Sequence, residues 1–249
     1  MSAQIAPVYQ YVGLELRRTF RDTGFVVFGI GTPVLMYLMF TNVGGGVGGG
    51  SSEWAVTAMV GLAAYGALSA GLTAGTAVAE DKAAGWLRQL RITPLTAAQA
   101  VAGRTVTGSL MVLPTVLVVL LTGAIVNDVR LEPGQWVALT LLLWIGSLPF
   151  TVLGLANGYA LSTQTTNVVN VVTNLVLAFV GGLWFPVAEF PGWLAAVARW
   201  TPAHRLGELG WATTRGDVPG PDTVLVLVAW LVLFGAYAGH AYRRASRSA

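Results

Sequence analysis

A charged stretch, "EDKAAGWLRQLRITPLT" at residues 80–96, stands between two long apolar runs. If it is helical, its apolar side chains line one face and its charged side chains the other. The apolar face consists of Ala83, Trp86, Leu87 and Leu90. Because Pro94 restricts the residue before it, we expect the helix to span about 81–92. Such a face can bind a groove on a partner protein; alternatively, it rests among lipid head groups.

Two of the apolar runs carry polar side chains at helical spacing. Three asparagines share about 60° of arc on the later run: Asn167, Asn170 and Asn174. A weaker stripe of hydroxyl groups on an earlier run consists of Ser69, Thr73 and Thr76. Polar groups inside a membrane face protein or a water-filled cavity. The stripes therefore predict either hydrogen bonds between helices or the lining of a path for a cargo.

The residues needed for chemistry on ATP are missing from the sequence. The phosphate-binding pattern G-x-x-x-x-G-K-[ST] does not occur, and the only lysine is Lys82. Any ATP hydrolysis, with its ATP and Mg²⁺, must belong to another polypeptide. We expect His204 and His240 to be surface or interfacial histidines and not metal ligands, and there is no cysteine. We therefore expect no catalytic residue, metal or cofactor in this chain.

The composition is that of a membrane protein. Of the 249 residues, 55% are hydrophobic and 10% are charged, whereas soluble domains carry about 25% charged residues. Mean hydropathy is +0.67. The net charge of +3 does not indicate nucleic acid, because the basic residues lie beside apolar runs and not on a solvated face. Their placement instead reports on orientation in the membrane.

Six apolar runs are long enough to cross the ~30 Å hydrocarbon layer as helices. They cover about 24–42, 54–79, 105–126, 135–161, 167–185 and 222–242. We predict an all-α, polytopic membrane protein with six transmembrane helices in a single transmembrane domain, 1–249. With both termini in the cytoplasm, ten of the fourteen Lys and Arg residues lie inside, as the positive-inside rule requires. Pro33, Pro114 and Pro149 fall within spans and are expected to kink them, either for packing or as gating hinges.

Two further segments have interfacial character. Residues 1–23 place apolar residues at three- and four-residue steps among arginines, which predicts an amphipathic N-terminal helix on the membrane surface. The segment 186–221 between the last two runs is rich in Trp and Pro. We expect it to form short re-entrant helices on the outer side, although Trp also serves as an interfacial anchor with no role in gating.

The run "AEDKAAGWLRQLRITPLTAAQAVAGR", six spans and two cytoplasmic ends together resemble the permease subunits of type-2 ABC exporters. The stretch "GGLWFPVAEFPGWLAAVARWTPAHRLGELGWA", residues 181–212, resembles the end of the fifth span and the re-entrant helices of that family. The likeness covers essentially the whole chain. It is most similar to the drug exporters related to the daunorubicin-resistance permease.

The resemblance implies roles for particular residues. The helix between spans two and three becomes the coupling helix that contacts the ATPase, through Glu80, Lys82, Ala83, Gly85, Trp86, Leu87, Leu90, Arg91, Thr93 and Pro94. The two polar stripes become the lining of a substrate path between two copies of the permease. The outer gate consists of Phe185, Pro186 and Trp193. The implied partners are two copies of an ABC ATPase, a second permease of the same or a sister chain, and lipids, but no nucleic acid.

The function implied is a non-enzymatic subunit of an ATP-driven exporter in the bacterial cytoplasmic membrane. It would move a hydrophobic or amphipathic cargo outward, as in multidrug efflux and antibiotic resistance. An ion-coupled transporter or channel is the alternative, and the lack of charged residues in the middle of the spans disfavours it. An intramembrane serine protease needs a Ser and a His that meet within the membrane, but G-x-S occurs only in the Gly-rich loop.

Overall fold

A computed structural model describes residues 25–43, 51–84 and 97–248 of the chain. All regular elements within these ranges are helices, which confirms the all-α class for the described residues. A π-helical segment, Phe25–Gly31, leads into the first α-helix. The α-helices are α1 (Thr32–Asn42), α2 (Ser52–Ala83), α3 (Ala97–Leu110), α4 (Val112–Val126), α5 (Pro133–Gly146), α6 (Leu148–Ala160), α7 (Thr163–Val180), α8 (Gly192–Ala198), α9 (Pro202–Thr214) and α10 (Pro221–Ser248).

Helix α2 forms the centre of the bundle. The Ser51 side chain caps its first turn by accepting a hydrogen bond from the Trp54 backbone N–H at 3.2 Å. From Ala58 to Leu68 every residue of the helix is buried. A helix surrounded by protein on all sides needs no polar face, which is why its hydrophobic residues follow no helical period. The two ends of the bundle are named below the Ser51 end and the Lys82 end.

Four stretches of the described residues are long and apolar enough to cross a membrane: Ser52–Ala83, Val101–Val126, Pro133–Ala160 and Pro221–Ser246. They correspond to the second, third, fourth and sixth predicted spans. The first and fifth predicted spans are also helical, but α1 and α7 do not meet the same criterion of length and hydropathy. A count of six spans therefore stays a prediction.

Two predicted spans are interrupted near a proline. The third divides into α3 and α4 at Met111, three residues before Pro114, and the fourth into α5 and α6 at Ser147, two residues before Pro149. Proline supplies no backbone N–H to the carbonyl four residues earlier, so the helix bends or breaks there. At the second break the Ser147 hydroxyl donates to the Trp144 carbonyl at 2.7 Å.

The fifth helix differs from its predicted bounds of 167–185. It begins earlier, because the Ser162 side chain accepts a hydrogen bond from the Thr165 backbone N–H and so caps α7. It ends earlier because Gly182 has φ +72°, a left-handed conformation in which the helix cannot continue. Asn167 thus lies in the second turn of α7 and not at its start.

The coupling helix predicted over 81–92 also has a different boundary. Residues 81–83 form the last turn of α2, which runs without a break from Ser52. The Ala84 backbone N–H still donates to the Glu80 carbonyl at 2.9 Å. The predicted docking residues from Gly85 to Pro94 and the predicted N-terminal helix over 1–23 lie outside the described residues.

Candidate functional site

Helices α2 and α6 cross with their backbones in contact. Each carries two glycines four residues apart, in "GLTAG" and "GLANG": Gly71 and Gly75 on α2, Gly154 and Gly158 on α6. A Cβ atom added to Gly75 would lie 1.9 Å from the Gly154 carbonyl oxygen, and one added to Gly158 would lie 2.2 Å from the Gly75 oxygen. Only glycine permits this approach. The G-x-x-x-G spacing, a known helix-packing pattern in membranes, was the signal that the sequence analysis missed.

A buried polar network joins α7 to this pair of helices. Asn170 is 6% exposed, and its amide nitrogen donates to the Leu72 carbonyl of α2 at 2.9 Å. Its amide oxygen accepts from the Asn157 amide nitrogen of α6 at 2.8 Å. Thr166 donates its hydroxyl to the Asn157 carbonyl at 3.3 Å. Asn170 therefore makes hydrogen bonds to both neighbouring helices. Asn157 and Thr166 were not predicted, although the first lies within "GLANG".

The remaining members of the two predicted stripes are exposed or half-buried, and one from each stripe forms a hydrogen bond between the helices. We call Ser69, Thr73, Thr76, Asn167 and Asn174 the polar stripe. The Thr76 hydroxyl donates to the Asn167 amide oxygen at 2.6 Å across 91 positions of sequence. Thr73 and Asn167 are exposed, and Ser69 and Asn174 are half-buried. The amide oxygen of Asn174 is buried and accepts no hydrogen bond from the described residues.

The polar stripe is bordered by apolar side chains of α7. Val168, Val171, Val172 and Leu175 are all exposed. Hydroxyl and amide groups thus stand on one edge of an otherwise apolar surface. An arrangement of this kind can donate and accept hydrogen bonds with a molecule whose remaining surface is apolar.

At the Lys82 end, three of the predicted coupling residues are described. Glu80 and Ala83 are exposed. The Lys82 ammonium group donates to backbone carbonyls at the end of α6, at 2.9 Å for Gly158 and 3.0 Å for Tyr159. Beside it, Asp81 forms an ion pair of 2.5 Å with Arg104 of α3. The end of α2 and the start of α3 are therefore held together.

At the Ser51 end, two of the predicted gate residues, Phe185 and Pro186, lie in the connection after α7, and the third, Trp193, lies on α8. The Phe185 ring lies 5.8 Å from the Phe40 ring of α1, centroid to centroid. Pro186 precedes a short 3-10 turn, Val187–Glu189. Trp193 on α8 is 71% exposed. The end of α8 is fastened to α10, because the Trp230 indole N–H donates to the Trp200 carbonyl at 2.9 Å.

His204 connects α9 to the end of α7. Its Nδ1 atom lies 3.2 Å from the Gly181 carbonyl oxygen, an acceptor only, so this nitrogen carries a proton. Burial lowers the pKa of His204 below its usual 6.5, which outweighs the opposing effects of that hydrogen bond and of nearby Glu208. The imidazole is therefore a neutral structural group at neutral pH.

These features define a class: a multi-pass helical membrane protein in which a central helix is packed through glycines and polar bonds. A protein-family model described as "ABC-2 family transporter protein" matches residues 47–238, and the chain belongs to that family. It is also similar to the "Putative transport permease YvfS" of Bacillus subtilis (strain 168), with 27% identity over 221 residues, 88% of this chain and 90% of the relative.

Family membership confirms the resemblance to ABC-2 permeases that was drawn from the sequence. It makes the chain the membrane permease of an ABC transporter, a transport subunit. It also implies association with an ATPase subunit.

Proposed function

We propose that this chain is the membrane-spanning subunit of an ATP-driven exporter of the bacterial cytoplasmic membrane. Its cargo is hydrophobic or amphipathic, such as a drug or a lipid, and moves outward, as in the daunorubicin-resistance type of exporter. The observation that carries the proposal is the polar stripe, of which Thr73 and Asn167 are exposed on apolar helices of an ABC-2 permease.

The depth of the polar stripe supports its role in transport. Helix α2 has 32 residues, and at 1.5 Å per residue its central ~30 Å corresponds to about residues 58–77. Ser69, Thr73 and Thr76 therefore lie within the hydrocarbon layer. The Thr73 hydroxyl donates to the Ser69 carbonyl of its own helix and the Thr76 hydroxyl to Asn167. Polar side chains at that depth nevertheless usually face protein or a cavity and not lipid. We assign the polar stripe to a path between two permease copies, formed by this chain or by a sister permease.

The proposed topology has six spans, with α1 and α7 included, and both termini in the cytoplasm. The Lys82 end is then cytoplasmic and the Ser51 end outer. The placement of ten of fourteen basic residues on the inner side supports this orientation. Residues 1–23 lie along the inner surface as an amphipathic helix. The segment 186–221 is re-entrant from outside, with Phe185, Pro186 and Trp193 as its gate.

The proposed motor is a pair of separate ABC ATPase subunits that bind ATP and Mg²⁺. They dock on the segment from Glu80 to Pro94. The Asp81–Arg104 ion pair supports this location, because it joins α2, which precedes the segment, to α3, which follows it, at the Lys82 end. An ion-coupled mechanism is disfavoured, since the charged residues of α2 lie only near its ends.

The test is to co-express the chain with a candidate P-loop ABC ATPase from the same genome and to isolate the membranes. Replacing Leu87 and Leu90 together by Asp places two carboxylates on the docking face, so we expect the ATPase to be lost from membranes while the permease stays inserted. Asp in place of Val218, which is 91% exposed at the Ser51 end, is the matched control and should retain the ATPase. Equal ATPase recovery with all three chains would disprove the docking role.

A further inference from the structure

The last turn of α2 is joined to the connection between α6 and α7 by one side chain. The Lys82 ammonium nitrogen donates to three backbone carbonyl oxygens: Gly158 at 2.9 Å, Tyr159 at 3.0 Å and Leu161 at 2.5 Å. Gly158 and Tyr159 belong to the last turn of α6, and Leu161 lies in the connection before the Ser162 cap of α7.

The chemistry of this contact is specific to a cation with several donors. The final carbonyl groups of a helix have no partners within the helix and form the negative end of its macrodipole. An ammonium group has three N–H donors, and here each one meets a carbonyl oxygen. Hydrogen bonds from a charged donor are shorter and stronger than neutral ones. All of the donors of Lys82 are therefore directed into the chain itself.

The same three helices are also joined farther from the Lys82 end, where Thr76 of α2 donates to Asn167 of α7. Below the Lys82 contact, the glycine pairs bring the α2 and α6 backbones together. At the level of these glycines, Asn170 of α7 forms hydrogen bonds with the Leu72 carbonyl of α2 and with the Asn157 side chain of α6. Of these contacts, only the one made by Lys82 lies in the last turn of α2, next to the proposed docking segment.

We infer that Lys82 is a positioning residue that makes the end of α2 and the start of α7 move as one body. Within the proposed docking segment its part is to hold the end of α2 in place, because its donors are already bonded to backbone carbonyls of this chain. The proposed function supplies the displacing force, which the ATPase applies to the segment after Ala84. Through Lys82 that displacement reaches α7, and with it Asn167 and Asn174 of the polar stripe.

The experiment measures the distance between α2 and α7 with spin labels. The chain has no cysteine, so Ala84→Cys and Gln164→Cys, both at exposed positions, give one label on each helix end. The labelled chain is diluted with unlabelled chain, so that distances between copies do not contribute. Distances are measured by pulsed electron–electron double resonance on the full complex, first without nucleotide and then after trapping with ATP and vanadate.

We expect one narrow distance distribution that is the same in both nucleotide states. With Lys82→Met, which keeps the length of the chain but has no donor, the distribution should broaden and should differ between the states. Lys82→Arg, which keeps the charge and the donors, should restore the narrow distribution. Asp81→Asn breaks the neighbouring ion pair with Arg104 only and should behave as the parent does. A residue with a purely structural role would lower stability without making the distance depend on nucleotide.

The inference is overturned if Lys82→Met gives the parent distribution in both states. Should Lys82→Met not be recovered folded, Lys82→Gln is used, which is uncharged and too short to reach three carbonyls, with the same criterion. If no ATPase binds, the proposed function fails. The nucleotide-free comparison then decides the inference alone: a broader distribution in the variant supports it, and an identical one overturns it.

Discussion

Single atoms decide how close α2 and α6 lie. Gly75 and Gly154 pack backbone against backbone, and a methyl group at Gly75 would overlap the Gly154 carbonyl oxygen. Close approach also lets Asn170 reach the Leu72 carbonyl. Hydrogen bonds between membrane helices contribute about 0.6 kcal/mol each on average. The glycines therefore contribute by allowing many weak contacts at once, and their effect is larger than that of any one bond.

We expect Gly75→Ala to destabilise the protein by about 1–3 kcal/mol, because the added methyl group forces the two backbones apart. Gly235→Ala in α10 is the matched control, since nothing lies within 4 Å of its added Cβ. There the exchange should be neutral or should stabilise the helix by up to about 1 kcal/mol. Thermal unfolding in detergent measures both. Equal midpoints for the two variants would contradict the close packing.

The same scale explains which predicted site residues the structure separates. On a helical wheel Asn167, Asn170 and Asn174 are equivalent, yet only Asn170 is buried in the described structure. The wheel gives the spacing of three side chains on one helix. It contains no information on where the neighbouring helices lie, and these cover the middle residue and leave Asn167 exposed.

At the scale of elements, α9 is held on the end of α7 by a neutral histidine. Gly181 closes α7, and its carbonyl accepts the Nδ1–H of His204 near the start of α9. Thr201 caps α9 by accepting from the His204 backbone N–H at 3.2 Å. On the far side Arg205 forms an ion pair of 2.6 Å with Asp222 of α10. Helix α9 thus depends on polar contacts at its first turn.

This arrangement predicts a dependence of stability on pH. Since burial lowers the pKa of His204 below 6.5, the unfolded chain binds a proton before the folded protein does. The contribution of the neutral ring is complete above pH 6.5 and is lost as the pH falls from there through the lower pKa of the folded state. Unfolding in detergent should therefore occur at lower temperature at pH 5 than at pH 7.5. His204→Gln, which cannot take up a proton, should lose that part of the difference; an unchanged difference would contradict the assignment.

The whole molecule has two distinct ends. Residues of α2, α3 and α6 meet at the Lys82 end, through the Asp81–Arg104 and Lys82–Gly158 contacts. At the Ser51 end, α2 meets α9, where the Trp211 indole N–H donates to the Thr57 carbonyl at 3.1 Å. A bundle with this separation can receive force at one end and open at the other, the rigid-body mode by which helical domains rearrange.

The orientation of the two ends predicts the outcome of chemical labelling. A single Ala84→Cys should react with a membrane-impermeant maleimide only in inverted vesicles, because the proposed topology places the Lys82 end in the cytoplasm. A single Val218→Cys should react only in spheroplasts, in which the outer envelope has been removed and the cytoplasmic membrane is still closed. The unmodified chain, which lacks cysteine, is the control for background. Labelling of Ala84→Cys from the outside would reverse the topology and exclude a cytoplasmic docking segment.

Hydropathy and charge were enough to predict the helical class and the apolar runs. The ABC-2 family was predicted from the resemblance carried by residues 79–104 and 181–212. Hydropathy is sufficient for the class because a bilayer leaves few choices: backbone polar groups must be satisfied within the span, so a long apolar run becomes a helix. Proline likewise acts locally, so the breaks near Pro114 and Pro149 could be expected from the sequence. The sequence also contains the residues that set the bounds of α7, the cap Ser162 and the glycine Gly182, but the sequence analysis did not use them.

Only the tertiary structure decided which faces of these helices meet. Gly75 packs against Gly154, Asn170 is buried against Leu72, and Lys82 bonds to the end of α6. The residues joined by these hydrogen bonds lie 76 to 98 positions apart in the sequence. Helical periodicity describes each helix about its own axis, and the hydrophobic effect has no direction that would orient one apolar helix against another in lipid. Close packing between small residues and hydrogen bonds across helices provide that orientation, and both exist only once the bundle has assembled.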